Sequence, residues 1–315
     1  MARVLVTSEL PEGALDPLAG HDLVQPASDD RLARDELVEA ARDVDAIVCQ
    51  LTDRIGAELF EAATRLAVVA TCSVGYDNVD VTAATRARVA VCNTPGVLDE
   101  TTADLAFALI LSAARLLSEA EREVRGGTWT DWQFTGHLGR DVHGATLGLV
   151  GYGRIARAVE RRAAGFSMQV LHHSRRPTGA PGYVADLDSL LPQCDVVSLH
   201  VPLTEETRHL IDARRLRLCK PTAVLVNTAR GAVIEEEALA DALEAGRLFA
   251  AGLDVYEHEP AIHPSLLAAP RTVLLPHIGS ASVATRTAMA RLATSGVADV
   301  LAGGRPPNTV NPEVF

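Results

Sequence analysis

The 315-residue sequence has no apolar run of the roughly 20 residues needed to cross a bilayer. Its most apolar helical stretch, residues 103–117, carries Asp104 and Arg115 and reads as a buried helix. Met1 leads at once into a strand-like run, without the apolar stretch and cleavage site of a signal peptide, so a cytoplasmic location is expected. Cysteine is scarce: Cys49, Cys72, Cys92, Cys194 and Cys219 are odd in number, form no C-x-x-C and fall mostly in apolar runs. That pattern argues against a disulfide framework and for reduced thiols. Positive charge is short as well, with 29 Lys and Arg against 41 Asp and Glu, and the net charge of -12 opposes nucleic acid and anionic lipid alike. Neither is an expected partner, and an anionic substrate must be drawn in by a local cluster of arginines and backbone N–H groups. The histidines lack metal-ligand spacing with a third ligand, so no metal is expected. Low-complexity tracts are missing too, and a 48% apolar, 22% charged composition describes an ordinary folded chain.

What is present is alternation. Short runs rich in Val, Ile and Leu alternate with helical patterns from start to end, the signature of parallel sheets wrapped by helices. Strands are expected at 3–7, 46–50, 67–71 and 89–93, with helices around 31–42 and 57–64. A second series of strands runs through 146–151, 169–172, 196–201, 223–228, 251–255 and 273–276. One long helix is expected between the series, over 101–125, followed by a glycine-rich segment holding both tryptophans, Trp129 and Trp132. An amphipathic run at 283–301 ends in Gly303-Gly304-Arg305-Pro306-Pro307, a helix stop. A chain of this length exceeds one core of about 100 to 200 residues. The expectation is an α/β fold of two doubly wound parallel-sheet domains, one formed by 1–96 and 286–315 and the other by 97–285.

Leu147-Gly148-Leu149-Val150-Gly151-Tyr152-Gly153-Arg154-Ile155-Ala156 is a strand, a glycine turn and a helix start that fits G-x-G-x-x-A. Gly151 permits the turn, Gly153 lets backbone approach a pyrophosphate, and Ala156 lets helix and strand pack closely. The N–H groups opening the helix, from Arg154 and Ile155 onward, supply an anion site. The next strand ends in Ser174-Arg175-Arg176, with no Asp or Glu where a ribose 2′-hydroxyl acceptor is expected. A hydroxyl followed by two guanidinium groups suits a 2′-phosphate, so NADP(H) is preferred and NAD(H) is the alternative.

Three further segments carry the chemistry: Asn227-Thr228-Ala229-Arg230-Gly231, Asp254-Val255-Tyr256-Glu257-His258-Glu259-Pro260 and Pro276-His277-Ile278-Gly279-Ser280. These segments resemble those of the D-isomer-specific 2-hydroxyacid dehydrogenases, which implies reduction of a ketone, and that reaction needs a proton donor at the ketone oxygen, a role for His277. A carboxylate on the imidazole orients the ring and stabilises its protonated form, a role for Glu259. A planar guanidinium can hold a carboxylate and polarise a keto oxygen, a role for Arg230. With Ser73-Val74-Gly75-Tyr76-Asp77-Asn78, Thr101-Thr102-Ala103-Asp104 and His200-Val201-Pro202-Leu203-Thr204, these motifs resemble the D-isomer-specific 2-hydroxyacid dehydrogenases over nearly the whole chain.

The resemblance implies a Rossmann-type cofactor domain and a flavodoxin-like substrate domain. It implies that the N–H groups of Val74 and Gly75 bind the substrate carboxylate and that Asp254 contacts the nicotinamide carboxamide. Pro202, Thr207, Thr228, Ala229 and Gly279 would line the cofactor, and Thr102 would approach its phosphates. Within the family, residues 126–144 and the Ser174-Arg175-Arg176 ending most resemble glyoxylate and hydroxypyruvate reductases. That implies a homodimer with Trp132 near the partner's substrate pocket, although simple packing would also account for the tryptophans. Leu51 is expected to wall the substrate pocket. A larger 2-keto acid is a second possibility, because one methylene discriminates by only about 1 to 3 kcal/mol. A non-enzymatic, nucleotide-sensing corepressor on the same scaffold is a third.

Overall fold

The computed structural model describes residues 1–26 and 32–315, so Arg31, the expected start of the first helix, lies outside the described residues. The chain forms two compact units, Met1–Leu98 with Ser280–Phe315, and Asp99–Gly279. All ten expected strands are present, each bound within two residues of its expected place.

The first unit is a parallel sheet of β1 (Arg3–Val6), β2 (Asp22–Val24), β3 (Ala46–Cys49), β4 (Val68–Thr71) and β5 (Ala90–Cys92), in the order β2-β1-β3-β4-β5. β1, β3, β4 and β5 read as continuous apolar runs because both faces are covered. β2 escaped the sequence pattern: it is a three-residue edge strand with two of its residues exposed. Helices α1 (Arg34–Ala41), α2 (Ala57–Ala62) and α3 (Val81–Arg86) cover one face. The C-terminal helix Val283–Leu301 covers the other, packing Ala290, Ala293 and Val297 with Val4, Val48 and Ala70. The tail then joins the β5 edge. Val310 donates its N–H to the Val91 carbonyl at 2.7 Å, and the buried Asn311 accepts the Val91 N–H at 2.8 Å.

The second unit begins with α4 (Asp99–Ala114) and α5 (Leu117–Arg125), two helices bent by 69° where one was expected. Leu116 adopts the left-handed region at φ 54°. The cause is a tertiary contact: Ala114's carbonyl, which the next helical turn would use, accepts the Arg140 N–H at 2.7 Å instead. Beyond lie β6 (Thr146–Val150), α6 (Arg154–Ala164), β7 (Gln169–His173), α7 (Leu187–Leu190), β8 (Val196–Leu199) and α8 (Ala213–Leu216). β9 (Val224–Asn227), α9 (Glu236–Glu244), β10 (Ala250–Leu253), α10 (Pro264–Ala268) and β11 (Thr272–Leu274) complete it. The parallel order is β11-β10-β9-β8-β6-β7, so strand order reverses between β6 and β8. Open sheets of this kind bind ligands outside the carboxyl ends of their strands at such a switch. Buried α4 lies so close to the sheet that a Cβ on Gly252 of β10 would sit 3.0 Å from the Leu109 Cβ.

Candidate active site

The glycine loop opens at the β6/β8 switch. Gly151 has φ 91°, and a Cβ there would stand 2.6 Å from the His200 carbonyl oxygen, so only glycine fits this turn. Gly153 caps α6 with open space around its Cα, and Ala156 is fully buried against the sheet. The start of α6 at Arg154 and Ile155 therefore presents backbone N–H groups to whatever occupies the crevice. Arg154's side chain is ion-paired with Asp99 at 3.1 Å, which leaves its contribution to the backbone.

At the end of β7, Ser174 donates its hydroxyl to the Arg176 carbonyl at 2.7 Å, folding the turn so that Arg175 and Arg176 are both exposed. After β8, Thr207 donates to the Pro202 carbonyl at 2.6 Å and accepts the Thr204 N–H at 2.8 Å, pinning that loop with the hydroxyl expected at the cofactor. Thr228, by contrast, has a buried hydroxyl with no hydrogen-bond partner among the described residues, and Ala229 beside it donates its N–H to Asn227 at 3.0 Å. A glycine cradle, a helix N-terminus and an unsatisfied hydroxyl at the strand ends fit a dinucleotide.

The three residues expected to do chemistry lie on loops after β9, β10 and β11. His277 Nδ1 is 2.8 Å from a Glu259 carboxylate oxygen, and both side chains are about three-quarters buried. The other Glu259 oxygen accepts the Tyr256 N–H at 2.9 Å. Burial acts most strongly on Glu259 and pushes its pKa up. The His277 hydrogen bond and charge, the Tyr256 N–H and the Arg230 charge outweigh it, and the carboxyl is held below its ordinary value. Glu259 is thus ionised, and Arg230 is close enough to act on it. With Nδ1 committed to Glu259, Nε2 is the imidazole nitrogen left for proton transfer.

In the first unit, Leu51 sits in a turn clamped by buried Asp53, which accepts the Gln50 N–H at 2.7 Å and the Thr7 hydroxyl at 2.6 Å. Val74 and Gly75 follow β4 with their carbonyls engaged, by Asn93 at 2.8 Å and Ser73 at 2.5 Å. Their N–H groups make no hydrogen bond among the described residues.

The profile of the D-isomer specific 2-hydroxyacid dehydrogenase NAD binding domain matches residues 107–279. The sequence is 46% identical to the glyoxylate reductase of Thermococcus onnurineus, covering 99% of this chain and 97% of that protein. It is 48% identical to that of Korarchaeum cryptofilum, covering 99% and 96%. This chain belongs to the D-isomer specific 2-hydroxyacid dehydrogenase family. Solved structures agree: an NADPH-dependent glyoxylate/hydroxypyruvate reductase from Sinorhizobium meliloti, crystallised with NADP and malonate, superposes with a TM-score of 0.89 at 34% identity, covering 100% of this chain and 98% of that one. A crystal structure from Thermus thermophilus gives 0.92 at 45%, covering 98% and 99%. The protein is therefore an oxidoreductase with a nicotinamide-dinucleotide-binding domain.

Two sets of contacts around the His277–Glu259 pair come from the tertiary structure. Asp254, expected at the carboxamide, accepts the Ile278 and Gly279 N–H groups, both at 2.7 Å, and so fixes the turn that holds His277 at φ 54°. Thr102 lies beside that turn, its methyl 3.6 Å from where a Gly279 Cβ would be. Glu236 is buried in the first turn of α9 and accepts the N–H groups of Glu257 at 2.6 Å and His263 at 3.3 Å, bracketing the loop that carries Glu259. Nothing distinguishes it in sequence from Glu235 and Glu237, since acidic residues favour any helix start. Gly231 closes the arrangement, because a Cβ there would fall 1.8 Å from the Tyr256 carbonyl carbon. Trp129 and Trp132 are 57% and 70% exposed, which removes packing within the chain as their explanation. Among the described residues, no group of three or more His, Cys, Asp or Glu side chains is arranged to hold a metal.

Proposed function

We propose that this dehydrogenase reduces glyoxylate and hydroxypyruvate to glycolate and D-glycerate, using NADPH in preference to NADH. The observation that carries the reading is the 2.8 Å Glu259–His277 pair with Arg230 acting on the same carboxylate. The glyoxylate reductases at 46% and 48% identity support the substrate class, and the Sinorhizobium meliloti enzyme with its NADP supports the cofactor.

A bound nicotinamide supplies the hydride. His277 delivers the proton from Nε2 to the keto oxygen, and Glu259 orients the ring and stabilises the charge it carries before transfer. Arg230 holds the substrate carboxylate and polarises the carbonyl through its planar fork. Gly151, Gly153, Arg154 and Ile155 take the pyrophosphate through backbone, and Thr102 borders it. Ser174, Arg175 and Arg176 take the 2′-phosphate. Pro202, Thr207, Thr228 and Ala229 line the cofactor, with Thr228 the one whose hydroxyl needs a partner. Asp254 would contact the nicotinamide carboxamide and Gly279 would line the cofactor, and both shape the His277 turn. Leu51, Val74 and Gly75 bind substrate, the two free N–H groups taking its carboxylate. The protein works as a cytoplasmic homodimer, with Trp132 reaching the partner's pocket.

Initial rates of glyoxylate, hydroxypyruvate and pyruvate reduction with NADPH and NADH test this. Higher kcat/KM with NADPH is expected, and a preference for NADH would remove the role given to Arg175 and Arg176. Arg230→Lys keeps the charge but loses the fork, and should lower kcat/KM by about a hundredfold while NADPH fluorescence titration is unchanged. Full activity in that variant would remove the role of Arg230.

A further inference from the structure

The loop that carries Ser174, Arg175 and Arg176 leaves the end of β7 and comes back to the same strand at Gly182. An exposed loop with adjacent arginines samples many conformations unless something holds it, and a bound phosphate would then have to order it. What holds this one is a single residue beneath it. His172 of β7 is fully buried on the edge strand of the sheet. Its N–H donates to the Gly182 carbonyl at 2.8 Å and its carbonyl accepts the Val184 N–H at 2.8 Å, which fastens the returning chain to the strand. Its imidazole Nε2 lies 2.7 Å from the Thr178 hydroxyl, midway along the loop. Thr178 also accepts the Ala180 N–H at 3.2 Å, so the hydroxyl that His172 engages fixes the second half of the loop.

The ring is held in place as well. It stacks on Tyr152 with centroids 3.7 Å apart and planes 15° from parallel, and Tyr183 lies tilted against it at 5.7 Å. Tyr152 stands between Gly151 and Gly153 in the glycine turn and donates its hydroxyl to Glu160 of α6 at 2.5 Å. His172 therefore joins the turn that faces a pyrophosphate to the loop that bears the two arginines. Packing does not account for an imidazole here. Its Nδ1 is buried and makes no hydrogen bond among the described residues, a cost that phenylalanine in the same stack would avoid. Charge does not account for it either, because burial pushes its pKa down and the ring is neutral. What phenylalanine could not supply is the bond to Thr178.

We propose that His172 is a positioning residue for cofactor selection: through Thr178 it holds the Ser174-Arg175-Arg176 loop in the shape that receives a 2′-phosphate before NADPH arrives. Buried beneath the loop, it acts through Thr178 and not by touching the cofactor. The assignment rests on the NADPH preference above and adds the residue that preorganises the loop behind it.

Fluorescence titration of NADPH and of NADH into wild type, His172→Phe, Thr178→Val and Thr178→Ser tests this, with thermal melting to establish folding. One neutral hydrogen bond used in preorganisation corresponds to about a three- to tenfold change in Kd. The Kd for NADPH should rise by that factor in Thr178→Val, and in His172→Phe, while the Kd for NADH holds. Thr178→Ser keeps the hydroxyl and should match the wild type. An unchanged NADPH Kd in folded Thr178→Val overturns the proposal, and so do equal losses for both cofactors, which a general loosening of the fold would give. If the wild type binds NADH as tightly as NADPH, the NADPH preference falls. Trypsin then decides the clamp, because it cuts the Arg175-Arg176 bond and not the bond before Pro177. Faster cleavage in cofactor-free Thr178→Val than in wild type supports His172 as the residue that holds the loop, and equal rates overturn it.

Discussion

His200 follows β8, its Nε2 2.9 Å from the Ser198 hydroxyl and its carbonyl against Gly151. Burial pushes its pKa down from 6.5 to about 4. Between those values the unfolded chain takes up a proton that the folded chain refuses, so stability falls as pH drops from 6.5 through 4 and is unaffected above that window. Denaturant titrations of wild type and His200→Gln across pH 4 to 7 should show a shallower fall in the variant, and parallel curves would contradict it. Glu259 follows the carboxylate form of the same linkage. Its pKa is depressed, so its contribution is complete above the ordinary 4.5 and disappears only as pH falls through the lower folded value. At this scale Arg230, Glu259 and His277 stood out as candidates in the sequence, because the resemblance implies ketone reduction and that reaction calls for those residue types. Glu236 was not, because burial alone separates it from its two glutamate neighbours.

The loop from Asp254 to His263 is held at both ends. Asp254 ties the end of β10 to the His277 turn, and Glu236 ties α9 to the backbone around Glu259. Glu257 adds a hydrogen bond with His209 Nε2 at 2.7 Å. Glu236 touches none of the reacting groups, so it is a positioning residue. Glu236→Ala leaves two part-buried N–H groups without their acceptor, which should cost about 1 kcal/mol in stability. It should lower kcat more than KM, because Glu259 and His277 lose their alignment. Glu236→Gln keeps one of the two acceptor oxygens and turns an amide NH2 toward the other N–H, so it should recover the shorter Glu257 bond and part of both losses, and a Gln variant as impaired as Ala would show that both acceptors are needed. Element positions were readable from apolar runs. The break at Leu116 was not, because it depends on Arg140, 24 residues on, taking the Ala114 carbonyl.

On the whole molecule, the surface is acidic, with a net charge of -12, yet the segment after α5 exposes Trp132 at 70%, Phe134 at 83% and Leu138 at 65%. Large apolar side chains held out in sequence like this are what a subunit interface covers. Sedimentation velocity should show a dimer, and a Trp132→Ser, Phe134→Ser, Leu138→Ser variant should shift it toward monomer. A monomeric wild type would end the dimer proposal and the role of Trp132 in a partner's pocket.

The alternation of apolar runs with helical patterns and the glycine turn pointed by themselves to a two-sheet α/β fold with a dinucleotide loop, while the dehydrogenase reading came from the resemblance carried by the segments around Arg230, Glu259 and His277. These signals depend on local periodicity and on residue types whose chemistry has few substitutes. Tertiary structure alone decided the supporting cast. Asp254 serves the His277 turn and Glu236 the Glu259 loop. Each role is fixed by which backbone donors the fold brings to a side chain, and a linear pattern of polarity does not encode that.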